Sequence, residues 1–254
     1  MIRFIYLPKF SIVIIFSFIL VTVIGTISHE FGHIVVAKYF GYDTTLDYGS
    51  MNYYPRGYLE DSDLKKINSL VEKYNYNNYE AWPNEIKLTV EELSESLDKK
   101  YPSISLNHTF WIIMGGPAQT LLTSCLGLFI LFMRRKKWSY GFKSVDWIAV
   151  FMALFALREV FNFVTASYSS IFNSKSHFHA DEFRISTYLG FNEWVIPILT
   201  LILGLLMSCY VIFKILPIKY RFTFILSGLV GGITGYALWF GVLVAALFNS
   251  TGCF

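Results

Sequence analysis

The chain has 254 residues, of which 54% are hydrophobic, 19% aromatic and only 15% charged, with a formal net charge of +3. That balance argues against a water-soluble enzyme and for a polytopic membrane protein, and no basic tract with interleaved aromatics marks a nucleic-acid surface. Cys125, Cys209 and Cys253 match neither a metal spacing nor a disulfide framework, so any metal in this chain is held by other ligands.

Arg3 and Lys9 precede an apolar stretch, as in a secretory signal, but no small-x-small cleavage site follows and the apolar run continues. An uncleaved first span is therefore expected over 10–40, with Gly41 as its stop. At 1.5 Å per residue this helix is roughly 45 Å long and must tilt or protrude. Its second half carries His29-Glu30-Phe31-Gly32-His33, an H-E-x-x-H pattern. On a helix, residues four apart stack on one face, so both imidazoles can reach one metal ion. Glu30 then stands beside the first ligand as a general base for the attacking water. Gly32 removes bulk and lets a helix or a substrate backbone approach. The alternative is a hydrogen-bonded structural cluster. Against it, two His and a Glu within five residues of a spanning helix are costly to insert and mark a functional site by default.

An H-E-x-x-H helix embedded in a membrane resembles the site-2 protease family of intramembrane zinc metalloproteases. The resemblance covers roughly residues 10–185 and implies a Zn2+ cofactor, a helix containing Gly-Pro, and a later Asp as third zinc ligand. It also implies a bacterial cell membrane as the setting, and a transmembrane or membrane-associated protein as substrate.

Residues 42–107 hold twelve acidic and seven basic residues, a net charge of −5. They are expected to form an extramembrane α/β insertion. Thr44 to Tyr54 reads as one or two short strands around a Gly turn, Asn75–Tyr79 as a loop of low complexity, and Glu85–Lys100 as a modest soluble helix. In the protease family a β-hairpin near this point lines the substrate channel and can pair with an unwound substrate; an ordinary surface hairpin is the alternative.

The second span, over 109–133, contains Gly115-Gly116-Pro117-Ala118-Gln119-Thr120, which permits a break or a close approach. The family has a Gly-Pro-x-x-Asn-like element here whose Asn positions substrate or the oxyanion. This chain places Gln119 or Thr120 where that Asn stands, so Gly116, Pro117, Gln119 and Thr120 are the candidate substrate-positioning residues. Arg134-Arg135-Lys136-Lys137 ends the span. The third, over 147–164, contains Arg158, Glu159 and Asn162, and Arg158 and Asn162 share a face. Charges at that depth should face the bundle interior or water. Arg158 and Asn162 are further candidate substrate-positioning residues, with supporting the site, gating substrate, or an ordinary interhelical salt bridge as the open readings. The loop His177-Phe178-His179-Ala180-Asp181-Glu182 follows. The resemblance implies that Asp181 completes the zinc site with His29 and His33, with His177 and His179 as rivals. Spans over 194–215 and 222–248 look like scaffold, the latter with Gly228, Gly231, Gly232 and Gly235 for close packing.

The N-terminus and the loops after the second and fourth spans share ten basic residues and one acid, Asp146, which makes that side cytoplasmic. The acidic insertion and the His-Asp loop then face outward, whereas many members of the family hold zinc nearer the cytoplasm. The expected fold is an all-α polytopic membrane protein, a single membrane domain over 1–254 with about five transmembrane helices. The expected function is hydrolysis of a peptide bond in a membrane-embedded or membrane-associated protein. The alternative is a non-proteolytic membrane protein whose retained metal site acts in transport, sensing or regulated binding. A transporter should show paired broken helices in matching halves, and one Gly-Pro break is found.

Overall fold

The computed structural model describes residues 4–74, 76–172 and 180–242. Its main elements are α1 (Pro8–Tyr39), β1 (Asp43–Leu46), β2 (Met51–Tyr54), α2 (Ser62–Tyr74), α3 (Asn84–Lys100), α4 (Leu106–Arg134), α5 (Ser144–Ala153), α6 (Leu157–Phe172), α7 (Asp181–Tyr188), α8 (Val195–Tyr210) and α9 (Ile218–Ala237). Five helical stretches among the described residues are long and apolar enough to cross a membrane: Pro8–Tyr39, Leu106–Arg134, Ser144–Phe172, Val195–Ile215 and Ile218–Gly241. The third joins α5 to α6 through a 3-10 turn at Leu154–Ala156 and outruns the expected 147–164. Asn162, Thr165 and Ser167 lower its hydropathy without ending the helix, since the Thr165 hydroxyl folds back onto the Phe161 and Asn162 carbonyls. Of the expected fifth span, 243–248 lies outside the described residues.

The chain divides into two compact units, residues 1–32 with 113–254, and residues 33–112. In the first unit, Ile14, Leu131, Val150, Val211, Leu216 and Phe224 are buried together, and the Phe224 ring meets those of Phe18, Trp147 and Phe151. Helices this apolar associate through close packing and small residues. Accordingly, a Cβ at Gly231 or Gly235 would collide with the backbone of α1 at Ile15 or Ile19, so α9 can lie this close only with glycine there. A Cβ added at Gly232, which the sequence groups with them, would meet nothing within 4 Å.

The turn between α4 and α5 is held by one carboxylate. Asp146, 1% exposed, accepts bonds from Arg134 Nε at 2.7 Å and Nη2 at 3.2 Å, Trp138 Nε1 at 3.2 Å and the Lys143 amide at 2.8 Å. A two-point guanidinium contact of this kind fixes orientation as well as charge. The single acid on the basic side is thus committed to the first residue of the basic cluster.

In the second unit β1 and β2 form an antiparallel hairpin with Asp43 opposite Tyr54 and Leu46 opposite Met51, closed by the Asp47 amide on the Ser50 carbonyl at 2.9 Å. α3 lies where the Leu spacing places it, and a 3-10 stretch at Tyr76–Ala81 replaces most of the expected loop. α2 was absent from the sequence expectation, yet its signals are local. Asp61 caps it through Oδ1 on the Asp63 amide at 2.7 Å, and Leu64, Ile67, Leu70 and Val71 recur at helical spacing. Lys100 at the end of α3 reaches Asp63 at 2.8 Å and Asp61 at 3.3 Å, latching α3 to the start of α2. The Lys100 ammonium and the Ser96 hydroxyl hold the Asp63 carboxyl below the ordinary carboxylate range. The Asp63 amide, joined by Lys100 and Tyr101, does the same for Asp61.

Candidate metal centre

α1 carries three of the candidate residues on consecutive turns. His29, Glu30 and His33 are 1%, 7% and 6% exposed, and one ligand atom of each lies within 4.8 Å of the others. α4 approaches α1 closely here because both surfaces are glycine. A Cβ on Gly32 would run into the Gly115 carbonyl oxygen and the Gln119 side chain. The occupant that Gly32 admits is therefore a neighbouring helix.

Each imidazole is oriented from α4. His33 Nδ1 donates to the Ile112 carbonyl at 2.7 Å, and His29 Nδ1 lies 2.9 Å from the Thr120 hydroxyl. Gly116 and Pro117 are buried within α4, which runs through Pro117 without interruption. Proline has no amide to bond the carbonyl four residues before it, so the helical ladder loses a rung immediately beside Ile112. Of the two residues standing where the family's Asn is expected, Thr120 touches the site. Gln119 turns its amide nitrogen to Thr123 at 2.9 Å, and its Oε1 is buried without a hydrogen-bond partner.

The third group arrives from far along the chain. Asp181 Oδ2 lies 2.9 Å from His29 Nε2, across a separation of 152 residues. Asp181 opens α7, where a carboxylate is favoured by the helix dipole. The short helix is anchored from behind: Phe183 is buried against the Trp194 ring, and the Ser186 hydroxyl accepts the Ile196 amide at 2.9 Å. Glu182 accepts from Asn162 Nδ2 at 3.2 Å, and its carboxyl also meets that of Glu159. Glu159 and Glu182 are 1% and 2% exposed, so a buried acidic seam joins α6 to α7 directly behind Asp181. Sequence reasoning saw Asn162 as a substrate-positioning residue and gave Glu159 no partner. The structure turns both toward Glu182, and the signal available was their three-residue spacing on one helix face. His177 and His179 lie outside the described residues. Arg158 Nη2 stands 3.9 Å from Glu30 Oε1, beyond hydrogen-bond range but close enough to act as its counter-charge.

The imidazoles tell whether these residues suit a metal. The Ile112 carbonyl can only accept, so the proton of neutral His33 sits on Nδ1 and its lone pair on Nε2. Metal-ligating histidines take this form, with the far nitrogen bonded to a carbonyl, hydroxyl or carboxylate. Thr120 can give His29 the same tautomer, leaving Nε2 and the Asp181 oxygen side by side as two donors for one ion. Two imidazoles and a carboxylate make a donor set that suits zinc with a fourth position open. The residues fit. Thr120→Val, which keeps the shape and removes the hydroxyl, should lower zinc affinity by about 10- to 100-fold in a chelator competition. Affinity within twofold of the parent would show that the hydroxyl does not orient His29.

Comparison of the chain with protein-family models, with characterised proteins and with solved structures finds no match.

Proposed function

We propose that this chain is an integral membrane zinc metallopeptidase that cuts a peptide bond in a membrane-embedded or membrane-associated protein. The observation that carries the proposal is the meeting of Asp181 with His29 at 2.9 Å, on the same helix that presents Glu30 and His33. A structural cluster needs no carboxylate brought from 152 residues away to the one histidine that adjoins a general base. His29, His33 and Asp181 would hold the ion, which when bound supplies Lewis acidity toward water and the scissile carbonyl. Glu30 takes a proton from the attacking water as the C–O bond forms, then delivers it to the amine nitrogen as the C–N bond breaks. Burial of Glu30 keeps bulk water from competing for that proton. Purified protein should contain one zinc per chain and cleave a panel of single-span substrates. Bound zinc without turnover on that panel would favour a transport, sensing or binding role instead.

On this reading the site lies within a bilayer, with residues 42–107 outside it and the N-terminus cytoplasmic; the five apolar helices support the membrane setting. The orientation rests on ten basic residues sharing one side, against a net −5 on the insertion. With the native cysteines replaced by alanine, Ser69→Cys should react with an impermeant maleimide in intact cells. Ser144→Cys should react only after permeabilisation. The opposite pattern would invert the topology and bring the metal to the cytoplasmic half.

A further inference from the structure

A cavity of about 370 Å³ lies in the first unit, between α1, α6 and α9, with the 3-10 turn before α6 and Thr120 of α4 completing it. Its walls are mainly aromatic and aliphatic, and Arg158 is the one charged residue in the lining. The threonines and the asparagine of the lining are committed elsewhere. The hydroxyls of Thr22 and Thr26 fold back onto α1 carbonyls at 2.9 Å each. Thr120 faces His29, and Asn162 faces Glu182. The Tyr236 ring packs at a tilt against those of Phe161 and Phe240. Arg158 differs from the threonines and from Asn162. Its Nε is buried with no hydrogen-bond partner among the described residues, and Nη2 reaches no nearer than 3.9 Å to Glu30.

We propose that Arg158 is the catalytic residue that binds the scissile carbonyl oxygen as that oxygen gains charge. The inference rests on the peptidase reading above. A peptide entering this cavity would meet apolar walls along its side chains, and at the site a single cationic donor with N–H groups to spare. The carbonyl carbon attacked by a water that Glu30 deprotonates must lie within a few ångströms of Glu30, which is where the guanidinium stands. Donors set in advance around a developing oxyanion, in a water-poor pocket, act on the transition state more than on the bound substrate. Arginine suits this better than lysine because its planar fork can keep one N–H toward Glu30 while another meets the oxygen.

The test compares Arg158→Ala, Arg158→Gln and Arg158→Lys in the full-length chain. Arg158→Ala should lower kcat/KM by about 100-fold or more, mostly through kcat, while zinc per chain and melting temperature stay at parent values. Affinity for a phosphinic peptide, whose tetrahedral anion mimics the charged oxygen, should fall by the same factor. Affinity for the cleaved amide product should not change. Added guanidinium should restore part of the rate to the alanine variant and none to the parent. Should the alanine variant fail to fold, the glutamine and lysine variants carry the same comparison. A rate within threefold of the parent, unchanged phosphinic affinity, or loss of zinc with the rate would each overturn the role of Arg158. A parent protein that binds zinc and the phosphinic peptide yet cuts nothing would instead remove the peptidase reading itself.

Discussion

Glu30→Gln should leave zinc bound and abolish hydrolysis. Glutamine keeps the length and shape of the side chain between His29 and His33, so the packing at the Gly32 crossing is undisturbed. What disappears is the ability to accept a proton, since a neutral amide nitrogen and carbonyl cannot take one from water near neutral pH. General-base catalysis contributes typically 10²- to 10⁴-fold, so kcat should fall by about that range with KM little altered. Neither metal ligand is touched, and each imidazole keeps its partner on α4. Metal analysis of the same preparation therefore separates a lost base from a lost ion. Cleavage at the parent rate would remove Glu30 from the reaction, and the peptidase assignment with it.

Asp181→Ala should empty the metal site. Removing a partner that only orients a ligand costs about 10- to 100-fold in metal affinity, so deleting a direct ligand should cost more than 100-fold. Stability offers a second readout: an ion at 100 times its dissociation constant stabilises the fold by about 2.7 kcal/mol. Addition of zinc should therefore raise the melting temperature of the parent and leave that of Asp181→Ala unmoved. His177→Ala and His179→Ala should retain zinc. Full occupancy in Asp181→Ala would end its assignment, and loss of zinc in His179→Ala would transfer the role to that histidine. The anchoring of α7 makes the aspartate a clean target. Phe183, Ser186 and Glu182 hold the helix from its other faces, so truncating Asp181 removes a ligand without releasing the element that carries it.

Two kinds of information separate cleanly in this protein. Hydropathy and helical spacing are properties of neighbouring residues. They sufficed to find the five apolar helices, the β1–β2 hairpin, α3, and the face of α1 that carries His29, Glu30 and His33. α2 was equally local: its apolar stripe of Leu64, Ile67, Leu70 and Val71 and its Asp61 cap were present in the sequence and were missed. Spacing also narrowed the element after Pro117 to two residues but could not choose between them. The choice of Thr120 over Gln119 follows from how α4 is rotated against Gly32. The remaining decisions join residues distant in the chain: Asp181 to His29, Asn162 and Glu159 to Glu182, and Arg158 to Glu30. No periodicity encodes these pairs. They depend on helices brought close where glycine removes side-chain bulk, and on a short α7 wedged by Phe183 and tied through Ser186. Local pattern therefore supplied His29, His33 and Glu30, whereas packing decided which carboxylate meets the histidines and which cation stands beside Glu30.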